Sequence, residues 1–185
     1  MSNNEIQHLN RVFPEIAHIQ DPTLRAQVTA CWIDAWHQSQ YSSLEEAIFS
    51  PQIPGCRLID HVRAVTSIAT HIAKMLAHHH QFSINHDLVL AGALLHDIDK
   101  MIIYEKTPQG YQQAQILTQF PHGYLGARLA HKHGVPDALE HLILSHTRRQ
   151  LIIPTTIEAI IVHYADFADY DALAYTTHRP LLLNK

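Results

Sequence analysis

The stretch Leu94-Leu95-His96-Asp97-Ile98-Asp99-Lys100 decides how the rest of the chain is interpreted. It closes an apolar run over residues 88–95, which contains neither proline nor charge and predicts a helix over about 87–100, buried on most sides. A buried polar group without a partner costs roughly 1 to 3 kcal/mol, and a buried charge costs more. Other parts of the fold must therefore satisfy the Asp97 carboxylate.

The composition bounds the class of protein. With 185 residues, of which 46% are hydrophobic and 16% charged, the chain predicts one globular domain with a full core. A formal net charge of −4 argues against a general polyanion binder, so we expect no nucleic acid polymer as partner. Neither a membrane-length apolar run nor an N-terminal signal pattern is present, which predicts a cytoplasmic protein without membrane contact. The oligomeric state stays open, a homodimer included.

Hydrophobic periodicity predicts a mostly helical first half. Apolar residues between 9 and 16 mark a short amphipathic helix, and an Asp-Pro start signal opens a second helix over 21–38. A short helix over 42–48 precedes the proline and glycine breakers of 51–55. A strong 3.6-residue period then predicts a long helix over 58–76.

The second half is predicted to contain one hairpin and three helices. The turn-type cluster Thr107-Pro108-Gln109-Gly110 separates two short segments of strand character, which predicts a small β-hairpin. Thr155 and Glu158 match the spacing of a capping box that would open the last helix. The three helices are predicted over 122–133, 136–145 and 156–169.

Histidine is the unusual residue type in this chain. There are 17 histidines against 13 lysines and arginines together, and most cannot be ligands: the consecutive run 78–80 predicts a solvated helix end. Six polar residues differ from the others because they lie at the ends or buried edges of predicted helices. They are His61, His96, Asp97, His122, His146 and Asp166.

These six side chains together suggest a metal site. Helices that converge on one point can bury such groups only if the groups satisfy one another or share a cation. Imidazole nitrogens and carboxylate oxygens suit Fe, Mn, Co, Ni or Zn, whereas the lack of thiolates disfavours a structural zinc site. Six ligands are too many for one tetrahedral ion, so the set predicts two divalent metal ions, Fe or Mn foremost, bridged by a carboxylate.

The order of these residues resembles a known family. His61, His96-Asp97 and Asp166 are similar in order and context to the H...HD...D pattern of the HD superfamily of metal-dependent phosphohydrolases. The opening stretch resembles that family's L-L-H-D-I-G-K signature, except that Asp99 stands where the family has glycine. His122 and His146 resemble the two additional histidines of the dinuclear branch, and the similarity covers residues 58 to 170.

The resemblance implies a fold and a division of the chain. The fold would be all-α, an HD-domain helical bundle with an N-terminal helical extension and at most one small β-hairpin. Residues 1–55 would form the extension, packed on the core, 56–176 the HD metal-binding domain, and 177–185 a C-terminal tail.

The resemblance also implies roles at the site. One ion would be held by His61, His96, Asp97 and Asp166, and the second by His122 and His146, with Asp97 bridging the two. Asp97 and Lys100 would be catalytic, and Lys100 would also bind the substrate phosphate, unless it only favours the helix dipole. Arg148 and Arg149 directly follow His146, and they either add a bidentate phosphate contact or lie on the surface. His141 and His163 lie near proposed ligands and either orient a ligand or serve only the helix surface.

Two classes of enzyme share such a ligand set. The leading hypothesis is a phosphohydrolase, either a phosphomonoesterase or a phosphodiesterase, which acts on a small nucleotide-like or other phosphorylated metabolite through a metal-activated hydroxide. The alternative is an HD-type di-iron oxygenase that cleaves a C–H or C–P bond of a small substrate. A regulatory module that has lost activity is a third hypothesis.

Overall fold

A computed structural model describes residues 1–147 and 152–184 of the chain. Within these ranges the protein is built mainly from α-helices, with one two-stranded antiparallel hairpin, so the all-α prediction is confirmed. The helices are α1 (Asn3–Val12), α2 (Pro22–Gln38), α3 (Leu58–His80), α4 (His86–Leu95), α5 (Lys100–Ile103), α6 (Tyr124–Lys132), α7 (Asp137–Ser145) and α8 (Ile157–Thr176). The strands are β1 (Tyr104–Thr107) and β2 (Gly110–Gln113).

Helix α4 lies at the centre of the fold. It packs against α2, α3, α7 and α8, and every residue from Val89 to Leu95 is buried because the predicted apolar run faces neighbours on all sides. The approach of α7 is close: a Cβ added at Gly92 would lie 2.4 Å from a methyl carbon of Leu142. Within the described residues, no helix is long and apolar enough to cross a membrane.

The N-terminal segment shares its core with α4. Asp21 caps α2 by accepting hydrogen bonds from two backbone amides of the first turn, and Pro22 begins the helix, as predicted. Trp32 on α2 is fully buried, and its indole nitrogen donates a hydrogen bond of 3.1 Å to the carbonyl of Leu94. The extension is therefore bonded directly to the segment that precedes His96.

The helix predicted over 42–48 is wrong. Only a 3-10 turn over Leu44–Glu46 forms, because the backbone becomes extended at Ala47 and Ile48 makes a β-bridge to Arg57. This extended course carries Phe49, which is 1% exposed, against α3.

Helix α4 ends earlier than the predicted residue 100. After Leu95 the chain makes a tight turn over 96–99, in which backbone bonds join residues three apart: Ile98 to Leu95 and Lys100 to Asp97. Residues two apart on a continuous α-helix do not share a face, but this turn brings both Asp97 and Asp99 to the same neighbouring side chain, His122.

The second half departs from prediction mainly at helix starts. The hairpin is confirmed, with Thr107 paired to Gly110 across a two-residue loop. Helix α6 begins at Tyr124 and not at residue 122, because Gly123 adopts a left-handed conformation with φ of 90°.

The capping box predicted for the last helix is also wrong. Helix α8 is capped by Thr156, whose hydroxyl accepts the amide of Ala159. The Glu158 carboxylate instead accepts the amide of Asn85. The helix continues beyond the predicted residue 169 to Thr176, and its Asp171 carboxylate binds backbone amides of the C-terminal 3-10 turn Leu182–Asn184.

Candidate metal centre

Five segments bring the six predicted residues to one buried point. His61 lies on α3, His96 and Asp97 lie in the turn after α4, His122 precedes α6, His146 follows α7, and Asp166 lies on α8. Four of the six are at most 1% exposed: His61, His96, Asp97 and His146. The sequence pattern therefore identified residues that the fold assembles into one cluster.

The first group of donor atoms surrounds the Nε2 atom of His61. This atom lies 3.1 Å from Oδ2 of Asp97, 3.2 Å from Oδ1 of Asp166 and 3.2 Å from Nε2 of His96. The ligand atoms of these four residues all lie within 4.8 Å of one another, which makes them a group that could hold a metal ion.

The second group lies on the other oxygen of Asp97. Oδ1 of Asp97 is 2.9 Å from Nε2 of His122 and 3.5 Å from Nε2 of His146, and the two imidazole nitrogens are 3.3 Å apart. These three residues form a second group that could hold a metal ion. The two oxygens of Asp97 thus face different groups, the arrangement that a bridging carboxylate requires.

All four histidines are oriented through their Nδ1 atoms. Nδ1 of His96 lies 2.8 Å from the carbonyl of Ala93, and Nδ1 of His146 lies 2.7 Å from the carbonyl of Ile143. A carbonyl accepts only, so these two rings carry a proton on Nδ1. The remaining two are held by carboxylates: His61 by Asp169 at 2.7 Å, and His122 by Oδ2 of Asp99 at 3.2 Å.

This orientation fits a cation. When Nδ1 of a neutral imidazole carries the proton, Nε2 presents a lone pair, as in metal-bound histidines that donate Nδ1–H to a carboxylate or carbonyl. Here the Nε2 atoms of His61 and His96, and those of His122 and His146, face each other at 3.2 and 3.3 Å. Facing lone pairs repel unless a proton or metal ion lies between them, so the donor sets suit two divalent ions.

The pKa values show the same demand for positive charge. Burial lowers the pKa of His61, but hydrogen bonds to three carboxylates outweigh the effect of burial and raise this pKa to about 10. Burial also lowers the pKa of His122, but the Asp99 and Asp97 carboxylates outweigh the effect of burial and raise this pKa to about 10. For Asp97 itself burial disfavours ionisation, yet Lys100 and His96 hold its pKa well below the ordinary range. Protonated imidazoles or divalent ions can supply the positive charge that these carboxylates require.

Lys100 lies at the side of the cluster that opens to a cleft. Its ammonium is 2.5 Å from Oδ2 of Asp97 and 3.8 Å from the centre of the Phe49 ring, an arrangement in which the ring faces a cation. The cleft has a volume of about 130 Å³. Its lining includes Phe49, Ser50, Tyr104, Gln113, Thr147 and Tyr170.

The other predicted site residues fall into two sets. Arg148 and Arg149 lie outside the described residues. His163 supports a metal-ligand candidate, because its Nδ1 lies 2.6 Å from the backbone carbonyl of His146, whereas His141 contacts Thr155.

Two residues that contact candidate metal ligands were missed by the sequence interpretation. Asp169 could have been found, because it lies one helical turn after Asp166 and therefore on the same face of α8. The contact of Asp99 with His122 leaves no local signal, since it depends on how the turn after α4 meets the start of α6.

Fold and site define an all-α protein whose central residues can hold two divalent ions. The family model for the HD domain matches residues 58–171, which include all six candidate ligands, and the chain belongs to the HD domain family. The predicted family resemblance is thereby confirmed.

Two characterised proteins are similar to the chain over part of their length. A dihydroneopterin 2',3'-cyclic phosphate phosphodiesterase from Methanocaldococcus jannaschii is 36% identical over 118 residues, or 60% of this chain and 45% of that protein. A ribonuclease Y from Acidothermus cellulolyticus is 32% identical over 96 residues, or 52% of this chain and 16% of that protein. The chain thus spans less than half the length of either relative. No solved structure matches it significantly.

Proposed function

We propose that the chain is a metal-dependent phosphodiesterase that hydrolyses a phosphate ester of a small metabolite. The observation that carries this proposal is the position of Asp97, whose two oxygens face separate donor groups while Lys100 stands beside it at the cleft. The similarity to a cyclic phosphate phosphodiesterase over 60% of the chain supports the same reaction.

The proposed ligands are the six residues of the two groups, with Asp97 as the bridge. Two divalent ions, Fe or Mn foremost and Co, Ni or Zn as other candidates, would supply a hydroxide nucleophile at neutral pH and neutralise charge on the phosphate. The chain's own residues would position the ions and the substrate. Asp97 and the oriented imidazoles would hold the ions, and Lys100 would offer an ammonium to a phosphate oxygen at the mouth of the cluster.

The cleft suggests a small substrate and not a polymer. Its volume of about 130 Å³ is below the usual range for pockets that enclose drug-sized ligands, so it would hold only the phosphate end of a substrate, and the net charge of −4 gives no general attraction to a polyanion. Of the two relatives, we therefore place the chain with the one named for a cyclic phosphate and not with the ribonuclease. The proposed substrate class is a phosphodiester of a small metabolite, with 2',3'-cyclic phosphates as the first compounds to test.

We further propose that the protein acts in the cytoplasm and that its three segments have different roles at the site. The HD domain (56–176) would supply the metal ligands, while the N-terminal extension (1–55) contributes Phe49 and Ser50 to the cleft. The C-terminal tail (177–185) adds Leu182 to the same cleft. Recognition of the substrate would therefore depend partly on segments outside the family match.

A panel of esters tests the proposed activity. Protein loaded with Mn²⁺ or Fe²⁺ is assayed on 2',3'-cyclic nucleotides, pterin cyclic phosphates and phosphomonoesters, with and without oxygen. We expect oxygen-independent cleavage of at least one diester, which Asp97→Asn abolishes and the surface control Asp137→Asn retains. Substrate-dependent oxygen uptake, or the absence of any phosphate ester cleavage by protein that holds two ions, would contradict the proposal.

A further inference from the structure

Asp99 is a buried carboxylate that the proposed chemistry does not use directly. It lies in the turn between α4 and α5 and is 0% exposed. Its Oδ2 atom accepts a hydrogen bond of 2.6 Å from the backbone amide of Gly123. Nδ1 of His122 lies 3.2 Å from the same oxygen and 3.0 Å from Oδ1. One side chain therefore binds both the backbone and the imidazole of a neighbouring segment.

His122 needs an external partner because of where it lies. His96 and His146 are oriented by carbonyl groups three residues earlier in their own segments. His122 instead precedes α6, next to Gly123 with its φ of 90°, and its side chain is 24% exposed. A residue on such a turn has no helical geometry to fix its ring, so the direction of the imidazole depends on tertiary contacts.

The two nitrogens of His122 have different partners. Nδ1 faces Asp99 at 3.0 Å, while Nε2 faces Oδ1 of Asp97 at 2.9 Å, inside the second donor group. A carboxylate only accepts hydrogen bonds, so Asp99 favours the form of the ring with a proton on Nδ1 and a lone pair on Nε2. That is the form in which His122 can bind a metal ion.

We infer that Asp99 is a positioning residue that holds His122 ready for the second metal ion. The inference rests on the proposed function, because it presumes that the second donor group binds an ion. A glycine at this position could make neither contact. The occupancy of the second site in this chain would therefore depend on the Asp99 side chain.

Substitution Asp99→Asn separates positioning from simple folding. The asparagine oxygen can still accept the amide of Gly123, so the turn before α6 retains its backbone bond. Its NH₂ group would take the place of Oδ1, which lies 3.0 Å from Nδ1 of His122. A proton on Nδ1 would then face a second donor, so the ring would favour a proton on Nε2, which blocks metal binding. Circular dichroism and thermal unfolding of metal-free protein check that the fold is kept. Asp169→Asn is the matched control, because Asp169 orients His61 of the first group.

The test is calorimetric titration of metal-free protein with Mn²⁺, combined with metal analysis. We expect Asp99→Asn to lower the affinity for one of the two ions by about 10- to 100-fold and to leave the affinity for the other ion at the wild-type value. His122→Ala should lower the affinity for the same ion. The double variant Asp99→Asn/His122→Ala should lose no more affinity than His122→Ala alone. Asp169→Asn combined with His122→Ala should instead lower the affinity for both ions.

Two results would overturn the inference. Wild-type affinity for both ions in Asp99→Asn would do so, as would losses of Asp99→Asn and His122→Ala that multiply in the double variant. Either result leaves the proposed function intact when the wild-type protein binds two ions. Wild-type protein that binds a single ion would contradict both this inference and the two-metal site.

Discussion

Replacing Lys100 by methionine tests whether its ammonium serves the substrate or merely balances Asp97. Lys100 is 8% exposed and lies at 2.5 Å from Oδ2 of Asp97, at the border of the cleft. Loss of one charged donor to a developing phosphate charge removes about 2.7 to 4 kcal/mol of transition-state stabilisation, or roughly a 10²- to 10³-fold loss of kcat. Metal affinity should stay equal or rise, because a positive charge beside the bridging carboxylate is removed.

The assay measures kcat, KM and metal content on the same samples. The control is Lys106→Met, since Lys106 is exposed on the hairpin away from Asp97. A Lys100→Met protein with two bound ions and a kcat within threefold of wild type would refute the catalytic role. Loss of activity in step with loss of the ions would show that Lys100 acts only by supporting the site.

Two further predictions concern the N-terminal extension. Trp32→Phe removes the hydrogen bond to the buried carbonyl of Leu94 and should lower the free energy of unfolding in urea by about 1 to 3 kcal/mol; an unchanged midpoint would count against this bond. The second prediction concerns Asp34. Burial raises the pKa of this carboxyl group, but hydrogen bonds from Lys132 and His133 outweigh the effect of burial and lower the pKa from 3.8 to about 2. A lowered folded-state pKa stabilises the fold above the unfolded value, but solvent screens the exposed partner Lys132, so Asp34→Asn should cost up to about 1 kcal/mol at pH 7. This difference should shrink as the pH falls from 3.8 through about 2, and a pH-independent difference would contradict the ion pair.

Local signals explain which parts of the fold could be predicted. Helix α2 follows from Asp21 and Pro22, because a cap and a proline at the first position act within one turn of the chain. Asp97 was identifiable as a site residue because an ionisable side chain at the end of a fully apolar helix requires a partner. Such anomalies need no knowledge of the tertiary structure.

The parts that could not be predicted depend on contacts between segments. Helix α4 ends at Leu95, and the turn that follows allows Asp97 and Asp99 to meet opposite nitrogens of His122. No periodicity marks this change, since residues 88–103 are apolar enough to continue as a helix. The extended course around Phe49 is similar, because its place beside Lys100 is set by the bridge between Ile48 and Arg57.

Metal analysis of the wild-type protein and of Asp97→Asn tests the two-metal centre most directly. Both proteins are loaded with Mn²⁺, freed of excess ion and measured for ions per chain. Asparagine retains one oxygen and presents an NH₂ group in place of the other, so it cannot serve both donor groups. We predict two ions per wild-type chain and at most one in Asp97→Asn. Two tightly held ions in Asp97→Asn, or none in the wild-type protein, would contradict the bridging role of Asp97.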